Sequence, residues 1–169
     1  KGLDAIKRCK KVYLETYTSR NNATLQNMEK LYGKKITPVT RSFCEEHAAK
    51  LLQEAKKQNI ALLIIGSPLA ATTHIDIFLE AKKQKINVEV IENASVLTAI
   101  GITGLFLYKF GRTTTIPLNN ENITSPSDVV KANLKNKLHT LCLLDIQEKK
   151  MMAAREGLDY LIDHGLKKE

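Results

Sequence analysis

The stretch from Ile60 to His74, IALLIIGSPLAATTH, constrains the fold more than any other. Six consecutive apolar residues, Ile60 to Ile65, read as a strand buried on both faces, and Gly66 and Pro68 stop it. Ala70 to Lys83 then reads as a helix, with Ala71, Ile75, Phe78 and Leu79 toward the core and Asp76, Glu80, Lys82 and Lys83 toward water. A buried strand feeding a helix through a tight turn is a crossover unit of a parallel sheet. Ligands of such sheets bind outside the carboxyl ends of the strands. The turn Gly66-Ser67-Pro68-Leu69 is therefore the first place to look for a site, although a plain strand–helix turn accounts for the same residues.

The flanking chain fits an α/β reading. Leu3, Ile6 and Cys9 have helical spacing, Val12 to Leu14 is a short strand, and Glu15 to Ser19 leaves it as a polar loop. A domain of this type should open on a strand, so the first strand is expected to precede Lys1. Asn22 is expected to cap a helix with Leu25, Met28, Leu31 and Tyr32 on its apolar face, ended by Gly33. Ile36 to Val39 reads as an edge strand because Pro38 would break a central ladder. Ser42 and Glu45 form a capping box ahead of a stripe of Cys44, Ala48, Leu51, Leu52 and Ala55, with His47 off the stripe as a surface histidine.

Ile86 to Ile91 reads as a further strand, closed by the polar turn 92–95, and a helix follows with Val96, Leu97 and Ile100. Two successive strands thus end in polar loops at one sheet edge, the geometry of a nucleotide-type crevice. Thr113 to Ile116 is a β-branched strand, Asn119 to Ser125 a loop, and Ser125-Pro126 with Asp128 a helix start with Pro at the first helical position. Leu138 to Ile146, LHTLCLLDI, is a second strongly buried strand. The closing helix sets Met151, Ala154, Leu158 and Leu161 on one face, with Gly165 as its stop. The expected organisation is a Rossmann-like, mostly parallel sheet with flanking helices over 1–117. The start of a second α/β domain, incomplete, occupies 118–169.

Composition narrows the function classes. No apolar run approaches the roughly 20 residues of a membrane span, and a signal peptide is not expected. Cys9, Cys44 and Cys142 sit in apolar patterns without metal spacing, which fits reduced core thiols and a cytoplasmic protein. Basic residues exceed acidic ones by 26 − 18 = +8, yet the lysines are scattered in pairs (56–57, 82–83, 149–150, 167–168) and only 5% of residues are aromatic. That pattern reads as a solvated basic surface able to steer the protein to an acidic partner, with no specific nucleic-acid site.

The residues that could carry chemistry are few. No GxGxxG, Walker A, HExxH or CxxC occurs, no metal cluster or catalytic triad is legible, and the catalytic group is unassigned. His74 and Asp145 could serve as acid or base, or hydrogen-bond locally. Ser67, Ser95, Thr72 and Thr73 could hold a polar ligand or cap helices.

GSPLAATTH at 66–74 resembles the G-D-P-[L/F]-x-A-T-T-H signature of the diphthine synthases, a family of class III (tetrapyrrole-methylase-like) methyltransferases. Four further stretches resemble the same family, in its order: GLDAIKRCKKVYLETYTS, NASVLTAIG, GITGLFLYKFG and LHTLCLLDI; YKFGRTTTIP is similar to archaeal members. The resemblance implies the class III fold, S-adenosylmethionine as methyl donor, and methylation of a modified histidine on translation elongation factor 2 in diphthamide synthesis. It also implies a homodimer using apolar surface after Gly101. By matching position it implies donor-binding residues Ser67, Ala70, Ser95, Val96 and Leu144. Ser67 stands where the family usually has Asp. Restoring that carboxylate by Ser67→Asp is expected to tighten donor binding or leave it unchanged; in a repacked pocket it would weaken binding. The alternatives are another class III methylase acting on a tetrapyrrole, or a non-catalytic remnant that binds the elongation factor.

Overall fold

The computed structural model describes residues 1–19, 22–70, 72–147 and 150–167. Ala71, Lys149 and Lys168, placed above on a helix face and in two lysine pairs, lie outside the described residues. The chain divides into two compact units, Lys1–Ser95 and Val96–Glu169.

The first unit is a three-stranded parallel sheet with helices on both faces. Helix α1 (Gly2–Arg8) leads into β1 (Lys11–Glu15); α2 (Leu25–Tyr32), β2 (Ile36–Val39), α3 (Arg41–Glu45), α4 (Ala48–Ala55), β3 (Ile60–Leu63) and α5 (Ile75–Lys83) follow. The strand order is β2-β1-β3 and both pairings are parallel. The strand buried on both faces is β1, whereas β3 is an edge strand that is only half-buried along its length. On one face of β1, Val12 and Leu14 pack with Ile6, Met28 and Ile36; on the other, Tyr13 packs with Val39, Cys44 and Leu51. The period-2 alternation of a strand makes three apolar residues enough to serve two cores.

Several expected boundaries move for local reasons. Thr24, not Asn22, caps α2, its side chain accepting from the amide of Asn27. The Ser42 capping box does not form: Thr40 caps α3 by accepting from the Phe43 amide, and Ser42 donates its hydroxyl to Glu46 instead. The expected long helix breaks at Glu46–His47, and exposed His47 begins α4. Helix α5 starts only at Ile75; ahead of it Thr72 donates its hydroxyl back to the Pro68 carbonyl (3.1 Å). Its core-facing residues are Ile77 and Ala81, while Ile75 and Leu79 are exposed. Segment 86–91 alternates half-buried Ile86, Val88 and Val90 with exposed Asn87 and Glu89, but makes no ladder, so the expected strand there is absent. Without a neighbour on that side, β3 cannot reach the two-sided burial expected of it.

The second unit holds α6 (Val96–Ala99), two 3-10 turns (Ile100–Thr103 and Leu107–Lys109), β4 (Thr114–Ile116), α7 (Ser125–Lys135), β5 (Cys142–Leu144) and α8 (Ala154–Asp163). Strands β4 and β5 pair in parallel across α7, a crossover unit. Contacts therefore group β4 with the later elements, whereas the sequence put a domain limit near residue 117. LHTLCLLDI contributes three strand residues rather than a long buried strand, and Leu144 is 36% exposed. The buried face of α8 is Gly157 and Tyr160, packed with Met152 and Ile116; Met151, Ala154 and Leu158 are exposed. Cys9, Cys44 and Cys142 are free thiols, the first two buried, and burial pushes all three above the ordinary value. Among the described residues no helix is long and apolar enough to cross a membrane.

Candidate functional site

In the first unit, the turn after β3 and the segment after residue 91 meet. Ser67 donates its hydroxyl to Oε2 of Glu92 at 2.9 Å. Gly66 has φ +91, a left-handed conformation that favours glycine, and a Cβ there would lie 3.4 Å from the Ala94 carbonyl oxygen. The loops expected to line one crevice are thus neighbours, even though the second follows an unpaired segment rather than a strand. Ala70 closes the turn through a 3.4 Å bond from its amide to the Ser67 carbonyl, and Ser95 ends the facing segment half-buried. Val96, 47% exposed, and Leu144 belong to the second unit, at the start of α6 and the end of β5.

Beside this wall, at the carboxyl end of β1, lies a polar cluster that the sequence reading missed. Glu15 was expected in a polar loop; it is the last residue of β1 and is 0% exposed. Its carboxylate accepts from the Tyr17 amide (3.3 Å), the Thr18 amide (3.0 Å) and the Thr18 hydroxyl. The Tyr17 hydroxyl bonds to Nε2 of His74 (3.1 Å), and the Arg41 guanidinium lies 5.4 Å from the Tyr17 ring centre. Burial first, then Cys44, Glu15 and Glu45, pushes the Tyr17 phenol above its ordinary value. The available signal was a lone acid closing an apolar strand and followed by hydroxyls and amides, E-T-Y-T.

His74 does reach this cluster. It is 3% exposed, and its Nδ1 is buried without a hydrogen-bond partner among the described residues. Burial holds its pKa below the ordinary 6.5, against the opposing pull of Glu15 and Glu45. The folded state therefore favours neutral His74, and its contribution to stability is full above about 6.5 and is lost as pH falls toward the lowered folded value. Urea denaturation between pH 7.5 and 5.5 is expected to show stability falling with acidification, with a shallower slope for His74→Gln. Equal slopes would remove His74 as the titrating group.

The other candidates have structural roles. Asp145 accepts from the Leu118 amide (2.9 Å), tying β5 to the chain after β4. Thr73 donates to Glu45 at 3.1 Å, and Thr72 accepts from the His74 amide at 3.2 Å. Among the described residues, no group of three His, Cys, Asp or Glu is placed to hold a metal ion.

A parallel α/β unit with a glycine turn against a second loop at its carboxyl edge places the chain in the crossover-sheet class, whose ligands bind outside the carboxyl ends of the strands. The profile of the tetrapyrrole (corrin/porphyrin) methylases matches residues 1–168, and the chain belongs to that family. Within the family it is similar to the diphthine synthases. It is 45% identical to the diphthine synthase of Methanocaldococcus jannaschii, over 96% of this chain and 66% of the relative. A diphthine methyl ester synthase of Candida glabrata is 46% identical over 88% of this chain and 51% of its own length. A crystal structure of a diphthine synthase superposes with a TM-score of 0.91 at 34% identity, covering 97% of this chain and 64% of that one. The chain thus spans about two thirds of the archaeal relative's length and about half of the fungal one.

Proposed function

We propose that the protein transfers methyl groups from S-adenosylmethionine to a modified histidine of translation elongation factor 2, the diphthine-forming step of diphthamide synthesis. The observation that carries this reading is the 45% identity to a diphthine synthase over nearly the whole chain, with the signature turn at Gly66 lying against a second polar loop. The donor, when bound, supplies an activated methyl group on a sulfonium. Ser67, Ala70 and Ser95 in the first unit, and Val96 and Leu144 in the second, are the residues assigned to it. The turn fits a polar, hydroxylated ligand: Gly66 carries no side chain beside it, and Ser67 offers a hydroxyl. The protein's part is to bind, orient and exclude water. The acceptor amine must be unprotonated when it attacks.

A homodimer belongs to the same proposal. Exposed Ile102 (95%), Phe106 and Tyr108 in the second unit, with the last two rings stacked 5.3 Å apart, support an apolar contact surface. A cytoplasmic location and a domain limit near residue 117 in the full-length protein are parts of it too. The test is calorimetric titration of the full-length protein with S-adenosylhomocysteine, followed by methyl transfer to elongation factor 2 carrying the unmethylated precursor. Micromolar product binding and methylation of the factor are expected. Binding without methylation of the factor, but with methylation of a tetrapyrrole, would move the assignment to the other branch of the family. Absence of binding would sink the methyltransferase reading.

A further inference from the structure

We propose that Glu92 is the donor-binding carboxylate of this site, accepting hydrogen bonds from a cationic or hydroxylated part of the methyl donor while Ser67 orients it. The inference rests on the methyltransferase reading above and names a residue that reading does not. Three observations carry it. The Ser67 hydroxyl donates to Oε2 of Glu92 at 2.9 Å, which fixes one carboxylate oxygen against the glycine turn. The backbone beside it is held close, since a Cβ on Gly66 would already touch the Ala94 carbonyl. Among the described residues Glu92 has no ion pair and no second hydrogen bond, whereas Glu29, Glu54, Glu89 and Glu156 are each paired with a lysine or arginine.

An exposed carboxylate with its second oxygen uncommitted, anchored on the turn where this sheet class binds ligands, is an acceptor waiting for a donor. The charge balance favours the same role. The chain carries a net +8, so a cationic ligand meets an unfavourable general field and needs a local negative group to be held. Glu92 supplies that charge from the second loop, and Ser67 supplies direction rather than charge. The geometry also reverses the expectation for Ser67→Asp. A carboxylate at position 67 would sit against that of Glu92, and two such groups at hydrogen-bond distance cannot both stay ionised and in place.

The test is a charge swap in the full-length protein, read as S-adenosylhomocysteine affinity by calorimetry, with circular dichroism to confirm the fold. Glu92→Gln is expected to weaken binding about tenfold or more, and Ser67→Asp alone to weaken it as well. The double variant, with the single carboxylate moved to position 67, is expected to recover to within about threefold of wild type. A merely structural Glu92 would not be rescued from position 67. Repeating Glu92→Gln with 5′-methylthioadenosine, which keeps the ribose hydroxyls but lacks the ammonium, locates the partner: a retained loss assigns the hydroxyls, an abolished loss the ammonium. Wild-type binding with unchanged affinity in Glu92→Gln overturns this inference alone. Wild-type protein that does not bind the probe overturns the methyltransferase reading and this inference together.

Discussion

Glu15→Ala is expected to destabilise the first unit by about 3 kcal/mol in urea denaturation. The carboxylate is completely buried and accepts from two backbone amides and one hydroxyl within the next three residues. Removing it leaves those donors in a site that excludes water, and each buried orphan costs about 1–3 kcal/mol. Partial collapse and some water entry keep the sum near the lower end of the additive range. Glu15→Gln keeps the volume and one oxygen but turns an amide N–H₂ toward a donor, so an intermediate loss is expected. A loss below about 1 kcal/mol for the alanine variant would show that the segment after β1 is held by Tyr17 and His74 rather than by Glu15. The same anchoring explains why Tyr17 reaches His74: the chain is turned back at Thr18 before it can run out over the sheet edge.

That anchor illustrates what the sequence can and cannot disclose. The element types were largely legible, because propensity and apolar spacing agree along β1, α2, β2, α4, β3, α7 and α8. Burial was less so. The longest apolar run, Ile60 to Ile65, became a half-buried edge strand, while Lys11–Glu15 took the centre with only three apolar residues. Run length reports the hydrophobicity of a strand, but position in the sheet depends on which neighbours pair with it, and segment 86–91 did not. On α8 the spacing picked Met151, Ala154, Leu158 and Leu161; Leu161 packs against the core, but the other three are exposed and the buried face contains Gly157 and Tyr160. A glycine carries no apolar signal, yet it is what allows Leu144 and Ile116 to approach the helix. Tyr160 is counted as half-polar, yet its hydroxyl donates to the Ile123 carbonyl. Of the candidate site, the turn at Gly66 was legible from a strand ended by Gly and Pro. Glu92 and Glu15 were not, because a carboxylate's role depends on which donors the fold brings to it.

Gly111→Ala is the second substitution expected to have a large effect, about 3 kcal/mol of lost stability in the second unit. Gly111 has no left-handed backbone, so the requirement there is space and not conformation. An added Cβ would overlap Oδ1 of Asn133 and lie 2.7 Å from its Cγ. The amide cannot simply swing away. Its Oδ1 accepts from the Arg112 amide (3.2 Å), and its Nδ2 donates to the Arg112 carbonyl (2.9 Å) and the Thr140 hydroxyl (2.8 Å). Asn133 is buried in α7, so these bonds join that helix to the residues leading into β4 and β5, the two strands it connects. Displacing it leaves a backbone amide and carbonyl of Arg112 without partners, which adds to the steric cost. A double-mutant cycle separates the two terms. Asn133→Ala alone is expected to cost about 2 kcal/mol through the lost bonds, and Gly111→Ala added to it is expected to cost almost nothing more, since the methyl then occupies the vacated space. Full additivity would mean that the Gly111 methyl meets something other than Asn133. A near-neutral Gly111→Ala would mean that Asn133 holds the two strands less tightly than its three bonds imply.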